Sequence, residues 1–419
     1  MFRAHRLAAA LCVAATAAGR ARAQTPAPLT IDRAVMEALD RNLAVVAERD
    51  NVAVADARVL TASLRPNPVL TASVMLPDAT IFNSGINPKE GIVRGDVLLE
   101  RGAKRERRME VAREARSVTE LQLQNTIRAL TLNVQSAFID VQQAQSGLQL
   151  ARESLAAFDE IVAINTERVR SGDLAPVELA RSRLAALQFR NDIRSREAKL
   201  AVAVHRLRTL LGRTDTSPIE VAGELRRDIP ALQPDALQHS ALQLRPDLKA
   251  LERDQARSAA DVRLQLAQGK VDYTVSAEFH RQLAPGSLTG NEWGVFFSAP
   301  LPFFNRNQGE TERARREAHQ AAARIAALQS DITGEMRGAW EQYTTTRELV
   351  DTIEQQMLTP AREVRDTTAY SYRRGEASFV ELIDAQRTFN ETMQSYNEAR
   401  AEFARSLYTL DALTGGARP

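Results

Sequence analysis

A tandem repeat constrains this chain more than any other feature. Gly172 and Gly212 stand 40 residues apart, as do Gly375 and Gly415. A shift of 203 lays Val177-Glu178-Leu179 on Val380-Glu381-Leu382, Leu207 on Leu410 and Leu210 on Leu413. Upstream, Glu48-Arg49-Asp50 falls on Glu252-Arg253-Asp254 at a shift of 204. Copies of about 200 residues are too long for solenoid units, so each is a motif of several elements. The expected division is a first repeat over 24–212, a linker over 213–233, a second repeat over 234–416 and a tail at 417–419.

Each copy reads as helix, strand, strand, long helix, turn, helix. Between Lys104 and Val169 there is one glycine and no proline. Leu123, Ile127, Leu130, Val134, Ala137, Val141, Ala144, Leu148, Ala151, Leu155, Phe158 and Val162 recur there at alternating steps of four and three. That is the heptad seam of supercoiled helices. The second copy runs from Gln308 to Arg374, interrupted by Pro360 and, beyond Gly309 at its start, by two glycines. Each long helix is expected to reach about 100 Å at 1.5 Å per residue. The flanking helices, about Thr30–Leu64 with Leu174–Leu211 and Ala236–Gln268 with Glu376–Leu413, together match the long helix beside them. Such equality suits a wall of even height; a globular bundle has no need of it.

Composition agrees: only 5% of residues are aromatic while 26% are charged, the mixture of long helices. The apolar fraction of 44% and net charge of +2 exclude a disordered chain. Residues 1–23 read as a secretory leader, with Arg3, His5 and Arg6 before the apolar run Leu7–Ala18 and an Ala21-Arg22-Ala23 cleavage site. Cleavage after Ala23 removes Arg3, Arg6, Arg20 and Arg22 and no acid, which turns the net charge from +2 to −2. The chain's single cysteine, Cys12, leaves with it, so the expected product has neither disulfide nor lipid-bearing cysteine.

Between the helices the pattern switches to period two. Tyr273, Val275 and Phe279 alternate with Asp272, Thr274, Ser276, Glu278 and His280; Trp293, Val295 and Phe297 share a face of the next segment. Strands are expected over about 271–283 and 291–301, with shorter ones over 69–76 and 91–99. Ten or so residues suit a tilted membrane strand, yet four strands do not close a barrel and open edges are not tolerated in lipid. Either the sheet is soluble or several chains share one barrel.

At this point the chain resembles the TolC-like outer-membrane factors, over essentially its whole length beyond the leader. Tyr372-Arg373-Arg374-Gly375-Glu376-Ala377-Ser378-Phe379-Val380-Glu381-Leu382-Ile383-Asp384-Ala385-Gln386 is similar to the family's periplasmic turn, with Arg170-Ser171-Gly172-Asp173-Leu174-Ala175-Pro176-Val177-Glu178-Leu179 as its weaker partner. Ala299-Pro300-Leu301-Pro302-Phe303-Phe304-Asn305-Arg306-Asn307-Gln308-Gly309 is similar to the CzcC-type cation-efflux branch. The resemblance implies a mostly helical fold with a small β part, built as a tandem helix–β-hairpin–helix repeat. It implies a homotrimer with a twelve-stranded β-barrel in the outer membrane and a twelve-helix α-barrel through the periplasm, working with a periplasmic adaptor and an inner-membrane RND pump. Drug efflux or type I secretion stays open beside metal export. So does a soluble periplasmic coiled-coil structural or adaptor protein.

A duct performs no bond chemistry, so no catalytic residue, cofactor or metal site is expected. The resemblance places Glu381 and Asp384 at a constricted mouth, three apart and hence on one helical face, with Tyr372 and Arg373 bonding to neighbouring helices. A solvated helix face is the plain alternative. Gly172, Asp173, Gly375 and Glu376 form the turns that would dock the adaptor. Tyr273, Val275, Phe279, Trp293, Val295 and Phe297 are the candidates to face lipid, and 77–90 and 284–290 the outer loops. The basic runs Lys104–Arg108 and Arg313–Arg316 suggest a solvated collar, or pairs with Glu106, Glu110 or Glu317, or contacts with lipid phosphates. Nucleic acid is disfavoured because these runs lack interleaved aromatics. His205, His239, His280 and His319 are scattered.

Overall fold

A computed structural model describes residues 28–75, 89–228, 233–283 and 290–415. The leader, most of both outer loops and the C-terminal tail lie outside the described residues. The first copy comprises α1 (Ile31–Arg41), α2 (Leu43–Ser63), β1 (Val69–Met75), β2 (Lys89–Leu99), α3 (Lys104–Ser171) and α4 (Pro176–Leu210). The second comprises α5 (Pro234–Leu244), α6 (Pro246–Gln268), β3 (Tyr273–Leu283), β4 (Gly290–Ser298), α7 (Gln308–Thr352), α8 (Leu358–Arg374) and α9 (Phe379–Leu413).

The wall is of even height. Helices of 11, 21 and 35 residues flank the 68-residue α3. Helices of 11, 23 and 35 residues flank a second long helix of 67, counting the π turn between α7 and α8. That turn, Ile353–Met357, has its cause in Pro360. A proline has no N–H to donate and its ring crowds the carbonyl four residues back, here that of Gln356, so the preceding turn widens. Gly334 and Gly338 leave α7 unbroken.

The first flanking helix of each copy, expected as one piece, is two, whereas α4 and α9 run unbroken. Asn42 interrupts the first with extended backbone, its side chain capping α2 by accepting from the Ala44 N–H at 3.0 Å. Arg245 interrupts the second because it precedes Pro246, and a residue before proline avoids the helical region. Opposite each break lies a repeat glycine. A Cβ on Gly212 would come within 2.6 Å of the Arg41 carbonyl, and one on Gly415 within 2.8 Å of Leu244. Both have positive φ, 68° and 74°. Arg41 and Leu244 are themselves 203 apart, so the repeat holds in space as well as in sequence.

The buried stripe of α3 follows the heptad seam through Leu130, Val134, Ala137, Val141, Leu148 and Ala151. From Ala151 it steps to Ser154, Phe158, Ile161 and Asn165, which leaves Leu155 and Val162 only half-buried. The linker is stitched to the first copy by a parallel bridge between Leu29 and Val221 and by Arg213, which donates to both Glu37 oxygens at 2.6 and 2.7 Å. It reaches the second copy through Arg226 to Asp411 at 2.5 Å and through Arg227 to Glu354 in the π turn.

The four strands form one antiparallel sheet in the order β1-β2-β3-β4. β1 and β4 are its open edges. Among the described residues no helix is long and apolar enough to cross a membrane.

Candidate functional site

Because directly paired residues of an antiparallel sheet share a face, the register sorts its side chains. Phe279 pairs with Val93 and Trp293, Ala277 with Gly95 and Val295, Val275 with Val97 and Phe297, and Tyr273 with Leu99. Leu70, Ala72 and Val74 of β1 continue the same face opposite Gly95, Val93 and Gly91. All six candidates, Tyr273, Val275, Phe279, Trp293, Val295 and Phe297, therefore lie on one apolar face. Trp293 is 79% exposed and Val295 82%. Tyr273 leans on Phe297 with ring centres 5.0 Å apart, and Phe279 on Trp293 at 4.8 Å. The opposite face carries an ionic network: Arg94 donates to Asp96 at 2.8 Å and to the Ser276 hydroxyl at 3.0 Å, and His280 stands 3.7 Å from both Glu90 and Glu292.

The basic runs depart from the expected collar. Lys104 is buried, its ammonium donating to the Asp272 carboxylate at 2.7 Å and the Lys270 carbonyl at 2.8 Å. Arg108 is engaged by Glu100, and Arg105 donates to the Ser63 carbonyl at 2.5 Å. Asp272 and Glu100 lie at strand ends, beyond the reach of any pattern read along the helix. These cations hold the sheet on its helices. Two expected pairings do form, Arg107 with Glu110 at 3.0 Å and Arg313 with Glu317 at 2.6 Å, and Arg313 also meets Glu310 at 2.6 Å.

At the far end of the helices the two turns come side by side. Gly172 and Gly375 adopt φ of 85° and 81°, the left-handed region that ends a helix. Asp173 and Glu376 each donate a backbone N–H to a carbonyl five residues back, at 2.8 and 2.9 Å. Asp173 also accepts from the Ser171 hydroxyl at 2.7 Å. All four turn residues are exposed.

Tyr372 is buried among Phe158, Ile161, Phe379 and Leu382, and its hydroxyl donates to Asn165 of α3 at 2.8 Å. Burial pushes the phenol's pKa up, against the Asn165 bond, so it stays protonated and able to donate. Arg168 of α3 donates to the carbonyls of Tyr372 and Arg373 at 3.3 and 3.0 Å, placing a cation at the negative end of α8. Arg373 itself pairs with Glu160 at 3.1 Å. Four bonds between α3 and α8 thus tie the first copy's long helix to the second's.

Glu381 and Asp384 are both exposed on the first turns of α9. The Glu381 carboxylate accepts the Ser378 backbone N–H at 2.6 Å while the Ser378 hydroxyl accepts the Glu381 N–H at 3.3 Å. This capping box satisfies two helix-end donors at once. The Ser378 bonds hold Glu381 below the usual carboxylate range, so it is charged at neutral pH. The structure brings Tyr372, Arg373, Glu381 and Asp384 to one end of the wall, beside Gly172 and Gly375. Sequence reasoning missed Asn165, Glu160 and Arg168, which nothing local marks. It also missed Ser378, although Ser-x-x-Glu is legible as a cap.

A family model described as outer membrane efflux protein matches residues 34–213 and again 237–416, one match per copy. The chain belongs to the outer membrane efflux protein family. Among its relatives, the cobalt-zinc-cadmium resistance protein CzcC of Cupriavidus metallidurans is 23% identical over 93% of this chain and 90% of its own length. The cation efflux system protein CusC of Escherichia coli K12 is 26% identical over 68% of this chain, which spans 64% of that relative. Solved structures of CusC and of the outer-membrane channel OprN superpose with TM-scores of 0.78 and 0.76, each over 92% of this chain and 92% and 90% of theirs. At 20% and 21% identity they establish the fold: a TolC-like tandem repeat, mostly helical with a small antiparallel sheet.

Proposed function

We propose that three copies of this chain close into an outer-membrane exit duct that conducts heavy-metal cations passively, as the last component of a tripartite efflux system. The four-stranded sheet carries this reading. It presents one apolar and one ionic face and leaves the outer edges of β1 and β4 unpaired. Unpaired backbone groups in lipid cost several kcal/mol each, so strands that enter a bilayer have to close. Three sheets supply twelve strands, enough for a barrel, with the apolar faces outward and the network around Arg94 and His280 lining the lumen.

The helical wall continues the lumen through the periplasm. The turns at Gly172, Asp173, Gly375 and Glu376 offer the docking surface for a periplasmic adaptor, which links the duct to an inner-membrane RND pump. Glu381 and Asp384 from three copies place six carboxylates around the mouth, a ring that attracts cations. Tyr372 and Arg373 hold that mouth in its closed arrangement. The leader expected over 1–23 delivers the chain across the inner membrane. Metal cargo rests on the resistance and cation-efflux functions that CzcC and CusC carry in their names.

The test deletes the gene and challenges the strain with cobalt, zinc, cadmium, copper and silver salts beside a panel of dyes and antibiotics. Sensitivity confined to metals, reversed by the wild-type gene, is expected. Sensitivity to dyes and antibiotics alone refutes the metal assignment and leaves a drug-efflux duct.

A further inference from the structure

The two copies are joined by a contact that serves as a template for what lies beyond the chain. β2 ends at Leu99 and pairs with the first residue of β3, Tyr273. At this rim the segment leaving β2 is stapled to the segment entering β3. The Arg101 N–H donates to Asp272 at 2.8 Å, Lys104 reaches Asp272 and the Lys270 carbonyl, and the Arg101 guanidinium lies 4.6 Å over the Tyr273 ring. By the repeat, the segment leaving β4 meets the segment entering β1, and within one chain those two lie at opposite edges of the sheet. They meet only between copies.

The chemistry of that second joint differs at every equivalent position. A shift of 204 puts Pro66 where Lys270 stands, Pro68 where Asp272 stands and Gln308 where Lys104 stands, so the ionic staple has no counterpart. The segment between β4 and α7 covers 299–307, against only 100–103 after β2. Its extra length carries Leu301, Phe303 and Phe304, the two phenylalanines 70% and 94% exposed. Opposite them, Leu64 and the whole of β1 are uncovered. The excursion is held firmly at its base. Asn307 donates to the Gln265 carbonyl at 2.8 Å, and Gly269 lies so close to Arg306 that a Cβ would come within 2.5 Å of its carbonyl.

We propose that 299–305 is an intersubunit clasp. Leu301, Phe303 and Phe304 pack on Leu64, Pro66 and Pro68 of the neighbouring copy, an apolar joint that replaces the ionic staple found inside the chain. This rests on the trimeric duct reading and names the residues that lock its rim.

Cysteine pairs test it in the full chain with Cys12→Ser. Phe303→Cys is combined in turn with Leu64→Cys and Asn67→Cys, and the membrane-extracted protein is mildly oxidised. On a non-reducing gel, at least one pair is expected to convert most chains into linked dimers and trimers, while each single cysteine yields only background. Protein that elutes as a trimer yet links in neither pair overturns the clasp and leaves the duct standing. Protein that elutes as a monomer overturns both. Phe304→Trp, in a Trp293→Phe, Trp340→Phe background, adds a second readout. Blue-shifted emission that brominated lipids do not quench supports the joint; strong quenching assigns the segment to lipid and overturns it.

Discussion

Tyr372 shows how one side chain ties the two repeats together beside the helical turns. Its ring fills the apolar cluster around Phe158 and Phe379, and its hydroxyl satisfies the Oδ1 of Asn165, a fully buried residue. Tyr372→Phe keeps the packing and strands the Asn165 oxygen, a loss of about 1–3 kcal/mol. The expected outcome is a wild-type helix content with a leakier mouth, seen as more frequent openings in planar bilayers. Unchanged opening statistics would mean that the hydroxyl only fills a structural need. Little of this bond was legible beforehand, since its partners are 207 residues apart. The repeat pattern put Tyr372 near a turn, and only the folded wall shows which turn of α3 stands beside it. Glu381 teaches the complementary lesson. Its carboxylate serves the helix end through Ser378, so the acidic ring proposed for the mouth would draw on a group already engaged in the cap.

At the scale of elements, helices, strands and their order were legible because period and punctuation agree: long stretches without proline, alternation between them, and glycines at the ends. What escaped were the events inside elements. The break at Arg245 was announced by Pro246 and the π turn by Pro360, yet Asn42 breaks its helix without a proline, by side-chain capping alone. The glycines at those breaks carry a testable burden. Gly212 and Gly415 combine positive φ with backbone closer than a Cβ tolerates, whereas a Cβ on Gly172 meets nothing within 4 Å. Gly172→Ala therefore costs only the left-handed conformation, about 1–2 kcal/mol. Gly212→Ala and Gly415→Ala add displacement of Arg41 or Leu244 and are expected to destabilise by more. Thermal unfolding followed by circular dichroism should rank both below Gly172→Ala. Equal midpoints would show that the close approach relaxes at no cost.

For the whole molecule, the fold explains a chain whose composition looks soluble. No described helix is apolar enough for a membrane, and in the proposed duct insertion belongs to a sheet whose two faces differ by a single residue step. This makes face, rather than position along the chain, the variable that decides tolerance. Val295 and Glu292 lie in the same strand on opposite faces, Val295 paired with Ala277 and Glu292 with His280. Arginine at a lipid-facing position near mid-membrane costs about 2–4 kcal/mol, and a symmetric trimer pays it three times. Arginine on the lumen face keeps its water. Val295→Arg is thus expected to cut the yield of folded trimer extracted from outer membranes sharply, while Glu292→Arg assembles near wild-type levels and alters conductance instead. The comparison places the same arginine in the same strand, and the larger charge change, +2 against +1, falls on the face expected to tolerate it. Equal yields would place both faces in water, and the sheet would then be a soluble one despite its apolar side.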